Sequence, residues 1–363
     1  MSKIKISMST SEFSQMIISS ILGVGILYIP NGLIKYANQD AWMACIIGSV
    51  YPFYMLIIAK YMCSKHPEEN ILMLSRRYFG TIIGNLFNIV YVSYFIFVFA
   101  SEVNGFKNAF YTYVTYFIDD FKIILVTLLA TGYLVYKGLK PLARVNEIIF
   151  YTTIILIALP SGALVNGSIY NIKPAFNANI INLLKAAKET AFFYAGIETI
   201  FLFYPFLNKK DKMFKCGAIS IIFIAIVYVW TVFLTIYYLG IDIAPKYLWP
   251  VVALTDAINI PIINSFRYIF LSLWSLIIFK CIAVFYYSVC FGINQITNKL
   301  SIQKLTVIIY PLIAYMALKF GNSIERRELT GNIMPIYVLF NLFFITVIAI
   351  AIRRESGGED EKE

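Results

Sequence analysis

Two ionisable side chains lie deep inside apolar stretches of this 363-residue chain. Glu198 follows the run Phe193–Gly196, and Lys280 lies between Trp274 and Phe285. Burying a charge in such a stretch is costly, so these residues indicate a functional site. Counted from the first residue of each stretch, at a rise of ~1.5 Å per residue, both lie at a depth of roughly 20 Å. We therefore hypothesise a Glu198–Lys280 ion pair or shared network, with two separate structural contacts as the alternative.

A glycine pair interrupts the first apolar stretch, where Gly23-Val24-Gly25 is followed by Pro30. Glycine costs about 1 kcal/mol in a helix interior and proline removes a backbone donor, so we predict a broken helix. Within a bilayer, unwound backbone is tolerated only where it is buried in protein or lines a cavity. Free amides there can bind charged groups of a ligand. A close contact between helices through small residues is the alternative.

The sixth apolar stretch carries a similar interruption at Ala195-Gly196, beside Glu198. Stretches one and six correspond if the chain is a five-plus-five repeat, and paired interruptions of this kind point to a transporter-type site. We therefore predict that both interruptions bind a small polar molecule near the bilayer midplane. Tyr94 lies at a depth from which its hydroxyl could reach that molecule, although most such aromatic residues serve packing.

Glu102 and Arg267 are candidates for a gate or an ion pair. They lie near the outer ends of the third and eighth stretches, where side chains reach water easily, so a solvated pair at the interface is the alternative. Lys280 has an alternative role as well, since a fixed ammonium could take the place of a coupling cation.

The motifs of common enzymes are absent from the sequence. It contains no phosphate-binding glycine loop, no H-E-x-x-H and no G-x-S-x-G, and the single histidine, His66, cannot supply a Ser/His/Asp set. Cys63-x-x-His66 has metal-ligand spacing, but a loop at a helix end is the simpler interpretation. We predict a protein that is not an enzyme, with no catalytic residue, metal site or cofactor.

The elements that carry these residues must span a membrane. The chain is 60% hydrophobic and only 14% charged, whereas soluble domains are about a quarter charged. Segments of about 20 apolar residues, the length that crosses a bilayer, recur at roughly 12–34, 41–62, 81–104, 119–136, 145–165, 183–206, 214–240, 265–294, 302–320 and 332–352. We call these segments spans one to ten, and they predict an all-α membrane protein of about ten transmembrane helices.

We predict one transmembrane domain over residues 1–352, with repeat one at about 12–165 and repeat two at about 183–352. A short surface helix is expected around Ile71–Tyr78, and residues 353–363 form a polar cytoplasmic tail.

The net charge of +10 is a topology signal and does not indicate a nucleic-acid partner, because Lys and Arg lie mostly in loops. Loops on the N-terminal side hold roughly twice as many as the opposite loops, to which we assign Arg326 and Arg327. Both termini are therefore predicted to be cytoplasmic and the 241–264 loop external.

Several short motifs follow one another in a specific order: Gly23-x-Gly25 with Ile29-Pro30, Ser101-Glu102, Gly196-x-Glu198, Trp249-Pro250, Trp274 and Arg353-Arg354. In these motifs the chain resembles the amino acid–polyamine–organocation permease superfamily and, within it, the spore germination permease family, the B subunit of nutrient germinant receptors. The resemblance implies two inverted five-helix repeats with broken helices one and six.

Carried over residue by residue, the resemblance implies that a ligand is surrounded by residues of spans one, three, six and eight. These are Gly23, Gly25, Tyr94, Ala195, Gly196 and the segment from Lys280 to Phe285. Together with Val24 and Glu198, they make up the predicted substrate-binding residues. Lys280 departs from the family pattern, where an uncharged residue is expected. A lysine there favours an acidic group on the ligand or replaces a cation.

The resemblance further implies assembly with a larger A subunit and a lipoprotein C subunit in the inner membrane of the dormant spore. Three functions follow. The chain is a receptor subunit in which a small nutrient, such as an amino acid, shifts a conformational equilibrium, with or without transport. Alternatively, it is an autonomous proton- or cation-coupled amino-acid permease, or a membrane scaffold that binds nothing.

Overall fold

The computed structural model describes residues 7–258 and 265–360. Residues 259–264 of the predicted outer loop and 361–363 of the predicted tail lie outside this part. In the described part all regular elements are helical, apart from an isolated bridge between Met8 and Leu207. The α-helices are α1 (Thr10–Ile21), α2 (Ile29–Ala37), α3 (Ala41–Gly48), α4 (Val50–Lys65), α5 (Ile71–Tyr113), α6 (Asp120–Tyr136), α7 (Leu139–Ala158), α8 (Ala163–Asn166), α9 (Ile180–Phe193), α10 (Ile200–Phe203), α11 (Met213–Ile243), α12 (Pro250–Ala253), α13 (Phe266–Thr297), α14 (Ile302–Lys319) and α15 (Ser323–Asp360).

Each predicted span corresponds to a helical segment of the described residues. Span one comprises α1 and α2, span two α3 and α4, and span six α9 and α10, while single long helices form most of the others. In the described part, seven helical stretches are long and apolar enough to cross a membrane. Spans one and six are not among these seven, because each is divided into two shorter helices. Helix α6 is not among them either, because its 17 residues are at the lower limit of length for a crossing. The chain is an all-α membrane protein.

Two long helices are kinked at glycines. Gly80 (φ 73°, ψ 171°) divides α5 into a first segment at Ile71–Phe79 and a long span, and Gly240 (φ 71°, ψ 171°) bends α11 near its end. Glycine is suited to this backbone because other residues are strained at positive φ. The predicted helix around Ile71–Tyr78 is therefore present. At the other end of the chain, α15 extends to Asp360, so the described part of the predicted tail is helical.

Helices α5 and α13 form the centre of the bundle. They pack against each other, and α13 also packs against α7 and α1. Gly292 of α13 allows this approach, because a Cβ there would lie 2.6 Å from a methyl carbon of Val92. Buried aromatic rings fill the interface, including Phe95 and Phe285 at 6.3 Å between centroids. Spans three and eight thus provide a rigid wall beside the broken helices.

Candidate functional site

The first helix breaks at the predicted glycines. Helix α1 ends at Ile21, Gly23 is extended (φ −112°, ψ −154°), and a 3₁₀ turn at Val24–Leu27 leads into α2. Pro30 lies in the first turn of α2, where its missing N–H is not needed, so it starts the second half of the helix. Gly23 is required for space, because a Cβ there would lie 2.8 Å from the carboxyl carbon of Glu102.

The sixth span breaks at Gly196, which has a φ of 116°. Helix α9 ends at Phe193, and after a 3₁₀ turn at Ile197–Thr199 the chain continues as α10. A Cβ on Gly196 would collide with the backbone carbonyl of Ser20, so glycine permits the two breaks to touch. The hydroxyls of Ser20 and Thr199 are hydrogen-bonded at 3.0 Å.

Tyr228 of α11 connects the two breaks. Its hydroxyl faces the carbonyl oxygens of Phe193 at 2.8 Å and Ile21 at 3.2 Å and can donate to either. These carbonyls end α9 and α1, where a broken helix leaves acceptors without intrahelical partners. The tyrosine therefore lies between the ends of both broken helices and satisfies a backbone carbonyl of one of them at a time.

A cavity of about 270 Å³ opens between the broken helices, α5, α13 and the start of α15. This volume is just below the range of ~300–1,000 Å³ typical of drug-sized ligands, so it suits a small molecule. The lining residues are Ser20, Ile21, Gly23, Gly25, Tyr28, Asn31, Gly32, Val98, Ser101, Glu102, Glu189, Phe192, Phe193, Ala195, Cys281, Phe285, Arg326, Arg327, Thr330, Gly331 and Met334.

A buried charge pair lies in the cavity wall. Nη2 of Arg326 is 3.5 Å from Oε1 of Glu102, and their side chains are only 2% and 12% exposed. Glu102 Oε2 also accepts a hydrogen bond from Val24 N–H at 2.7 Å, and Arg326 Nε donates to the Ser101 carbonyl at 2.8 Å. The prediction that the Glu102 side chain reaches water near the end of span three is thus wrong. Its carboxylate is buried and connects α15 to the break in the first helix.

Aromatic rings form another part of the cavity wall. Tyr28 packs edge-on against Phe193 at 5.4 Å and Trp249 at 5.8 Å between centroids. The Arg327 guanidinium lies 4.3 Å from the Tyr28 ring and 5.0 Å from the Trp249 ring, and it donates to the Leu248 carbonyl. Stacking of a guanidinium on aromatic faces is favourable. Arg327 therefore links α15 to the loop before α12.

Glu198 lies in a separate buried cluster. Among the described residues its carboxylate accepts hydrogen bonds from the Tyr51 hydroxyl, from the Tyr94 hydroxyl at 2.8 Å and from Gly196 N–H at 2.7 Å. The Tyr91 hydroxyl donates to its backbone carbonyl at 2.7 Å. These contacts attach the sixth-span break to α4 and α5.

The predicted Glu198–Lys280 ion pair is absent from the described residues. Lys280 Nζ instead donates to Thr153 Oγ1 at 3.0 Å and lies 5.9 Å from the Phe150 ring, so it faces α7. Depth along a span does not determine which neighbour a side chain faces, and here the two residues face different helices. The alternative of two separate contacts describes the structure.

Arg267 and Glu102 do not pair in the described part of the chain either. Arg267 Nη2 contacts both carboxylate oxygens of Asp256 at 2.7 Å, near the N-terminal end of α13. Its position at a partly exposed helix end agrees with the sequence. Its partner was missed, because Asp256 lies in a turn that hydropathy does not resolve.

The predicted site residues therefore divide into two groups. Gly23, Gly25, Ala195, Phe285 and Glu102 line the cavity, and Val24 contributes its N–H to Glu102. Tyr94, Gly196, Glu198, Lys280 and Arg267 do not line it in the described structure.

Charged residues of the cavity were missed by the sequence. Arg326, Arg327 and Glu189 line it, although Arg326 and Arg327 had been assigned to an outer loop. The hydropathy template starts span ten at residue 332, whereas α15 already begins at Ser323. The sequence does contain a helix-start signal at Asn322, since asparagine is favoured at the N-cap of a helix. In the structure its Oδ1 accepts hydrogen bonds from the N–H groups of Ile324 and Glu325.

Solved structures share this architecture. A nucleobase-cation-symport-1 family transporter, Mhp1, solved in a closed conformation with bromovinylhydantoin bound, has a TM-score of 0.64 and 12% identity, covering 92% of this chain and 78% of its own. MhsT in complex with L-phenylalanine has a TM-score of 0.58 and 14% identity, covering 94% and 87%. At such low identity these similarities show the fold alone.

Sequence comparison identifies the family. The spore germination protein YndE of Bacillus subtilis (strain 168) is 25% identical over 80% of this chain and 81% of its own length. The family model described as spore germination protein, Spore_permease, matches residues 7–326. The chain, an integral membrane protein with a transporter fold, therefore belongs to the spore germination protein family.

Proposed function

We propose that this chain is the nutrient-sensing membrane subunit of a germinant receptor and that a small nutrient, such as an amino acid, binds in the cavity between the broken helices. The observation that supports this most directly is the cavity itself, which combines residues of both breaks with a buried charge pair. A ligand that contacts both halves shifts the equilibrium between their arrangements if it prefers one of them.

The receptor would signal through partners. We propose an A subunit and a lipoprotein C subunit as these partners, in the inner membrane of the spore with both termini of this chain cytoplasmic. Family membership supports this part of the proposal.

Germination of spores lacking this chain tests the role. On a panel of nutrients, we expect loss of the response to at least one, restored by the wild-type gene. Gly25→Ala should not restore it, because the added Cβ would lie 2.7 Å from the Phe193 ring across the cavity. Equal amounts of the Gly25→Ala and wild-type chains in the spore membrane are the control, because they show that the loss is not one of folding or insertion. Normal germination of the deletion strain on every nutrient contradicts the receptor role.

An autonomous permease is the second candidate, favoured by the similarity in fold to Mhp1, a nucleobase-cation-symport-1 family transporter. Membrane vesicles that contain this chain alone separate the two functions. Uptake of a labelled amino acid without partners supports the permease, whereas a ligand response that requires co-expressed A and C subunits supports the receptor.

A further inference from the structure

The amide at the first helix break is occupied by a side chain of the protein itself. Val24 N–H donates to Glu102 Oε2 at 2.7 Å, and the Glu102 carboxyl group lies against Gly23. The N–H groups of a broken helix are where transporters of this kind bind an anionic ligand group. Glu102 thus takes the position of such a group, and a ligand carboxylate must be received elsewhere in the cavity.

Arg326 is suited to receive it. Its side chain is 2% exposed, its Nε is oriented by the Ser101 carbonyl, and Gly105 makes room for it, since a Cβ on Gly105 would lie 2.8 Å from Cζ. The 3.5 Å contact with Glu102 is longer than the 2.7–2.9 Å typical of a charge-assisted hydrogen bond. A guanidinium has five N–H donors, so Arg326 retains some for a carboxylate.

The cavity also offers a negative charge. Glu189 of α9 lines it and is partly exposed, and its carboxylate has no hydrogen-bond or ion-pair partner among the described residues. A ligand that carries both charges therefore finds a complement for each.

We propose that the cavity binds a small zwitterion whose carboxylate pairs with Arg326 in exchange for Glu102 and whose ammonium faces Glu189. This inference rests on the proposed function only in that a ligand enters this cavity. Because Glu102 also accepts the Val24 N–H, its release from Arg326 changes the contacts of the first helix break. The exchange thereby connects ligand arrival to the conformation of the first span.

Thermal stabilisation of the purified full chain measures binding. The probes are the standard amino acids, and for each one that binds, its carboxamide, which lacks the carboxylate, and its N-acetyl form, which lacks the ammonium. We expect at least one amino acid to bind and both derivatives to bind at least about tenfold more weakly.

Substitutions then identify the groups involved. Glu102→Gln still accepts from Val24 but no longer competes for Arg326, so we expect affinity to rise about tenfold. Arg326→Gln should lower affinity about tenfold or more. Arg327→Gln is the matched control: it removes the same charge one residue away, from a guanidinium packed on Tyr28 and Trp249, and should have the smaller effect. If Arg326→Gln does not fold, Arg326→Lys should give an intermediate loss.

Four results overturn the inference: no binding of any amino acid, carboxamides that bind as tightly as amino acids, loss of affinity in Glu102→Gln, or equal losses in the two arginine variants. The receptor role is judged separately by germination of the deletion strain. Zwitterion binding with normal germination contradicts only that role, and a germinant that lacks a carboxylate contradicts only this inference.

Discussion

The buried carboxylate of Glu198 connects the sixth-span break to two neighbouring helices. The donors from Tyr51, Tyr94 and Gly196 satisfy it in a fully buried position, and removing one partner of such a group leaves the others unsatisfied. The carboxylate is therefore expected to maintain the shape of the sixth-span break.

Glu198→Gln is predicted to destabilise the protein by about 1–3 kcal/mol, because the amide cannot accept all of these hydrogen bonds. Unfolding free energies in mixed micelles measure this loss. Combined with Tyr94→Phe, the double variant should be non-additive by about 0.5 kcal/mol or more. Combined with Lys280→Met, which removes a group facing Thr153, it should be additive within about 0.5 kcal/mol. Strong coupling to Lys280 would restore the ion-pair hypothesis.

At the scale of the elements, the two broken helices depend on each other. Gly196 contacts the carbonyl of Ser20, the side chains of Ser20 and Thr199 are hydrogen-bonded, and Tyr228 faces carbonyls of both helices. We therefore expect a change in one break to alter the other through these direct contacts.

Gly196→Ala is predicted to lower the melting temperature and to abolish the ligand response. The substitution strains a φ of 116° and drives a Cβ into the Ser20 carbonyl. Gly32→Ala is a matched control for stability, because it lies in a helix with open space around it and should be neutral or stabilising. Equal melting temperatures for the two variants would contradict the close contact of the breaks.

Tyr228→Phe is predicted to cost about 1–2 kcal/mol of stability and to alter ligand binding, because it removes the hydroxyl that donates between the two helix ends. Tyr310→Phe removes a comparable hydrogen bond, to the Leu125 carbonyl between α14 and α6, away from the breaks. We expect this control to change stability but not ligand affinity. Binding isotherms of both variants test the distinction.

At the scale of the whole molecule, contacts sort the loops into two sets. On one side, Met8 bonds to Phe206 and Asn208, Tyr204 to Glu69, and Arg77 pairs with both Glu69 and Glu355. The start and the end of the described chain therefore lie on the same side, as an even number of spans requires. On the other side, Asp40 accepts hydrogen bonds from the N–H groups of residues 176–178, and Asn31 bonds to Tyr247.

Cysteine labelling tests the predicted orientation. All five native cysteines are buried, so the wild-type chain should react little with a membrane-impermeant maleimide. Lys246→Cys places an exposed thiol in the predicted external loop and should react in intact cells. Lys209→Cys, also exposed, should react only after permeabilisation. The reverse pattern would show that the termini face outward.

Much of the architecture could be read from the sequence because its causes are local. A run of about 20 apolar residues must form a helix in a bilayer, and glycines at 23, 25 and 196 weaken a helix wherever they occur. The spans, both breaks and the part of the cavity wall formed by Gly23 and Gly25 were therefore predictable. The resemblance to the family added Phe285 to the predicted part of the cavity wall.

The tertiary structure alone decided which buried charges meet. Glu198 and Lys280 lie at similar predicted depths, yet rotation of the helices turns one toward α4 and α5 and the other toward α7. Arg326 reads as a loop residue by hydropathy, yet folding buries it against Glu102. A sequence determines where along a span each side chain lies, whereas its partners depend on helix rotation and packing. Those contacts place a charge pair rather than bare amides at the first break, and we expect them to determine what the cavity binds.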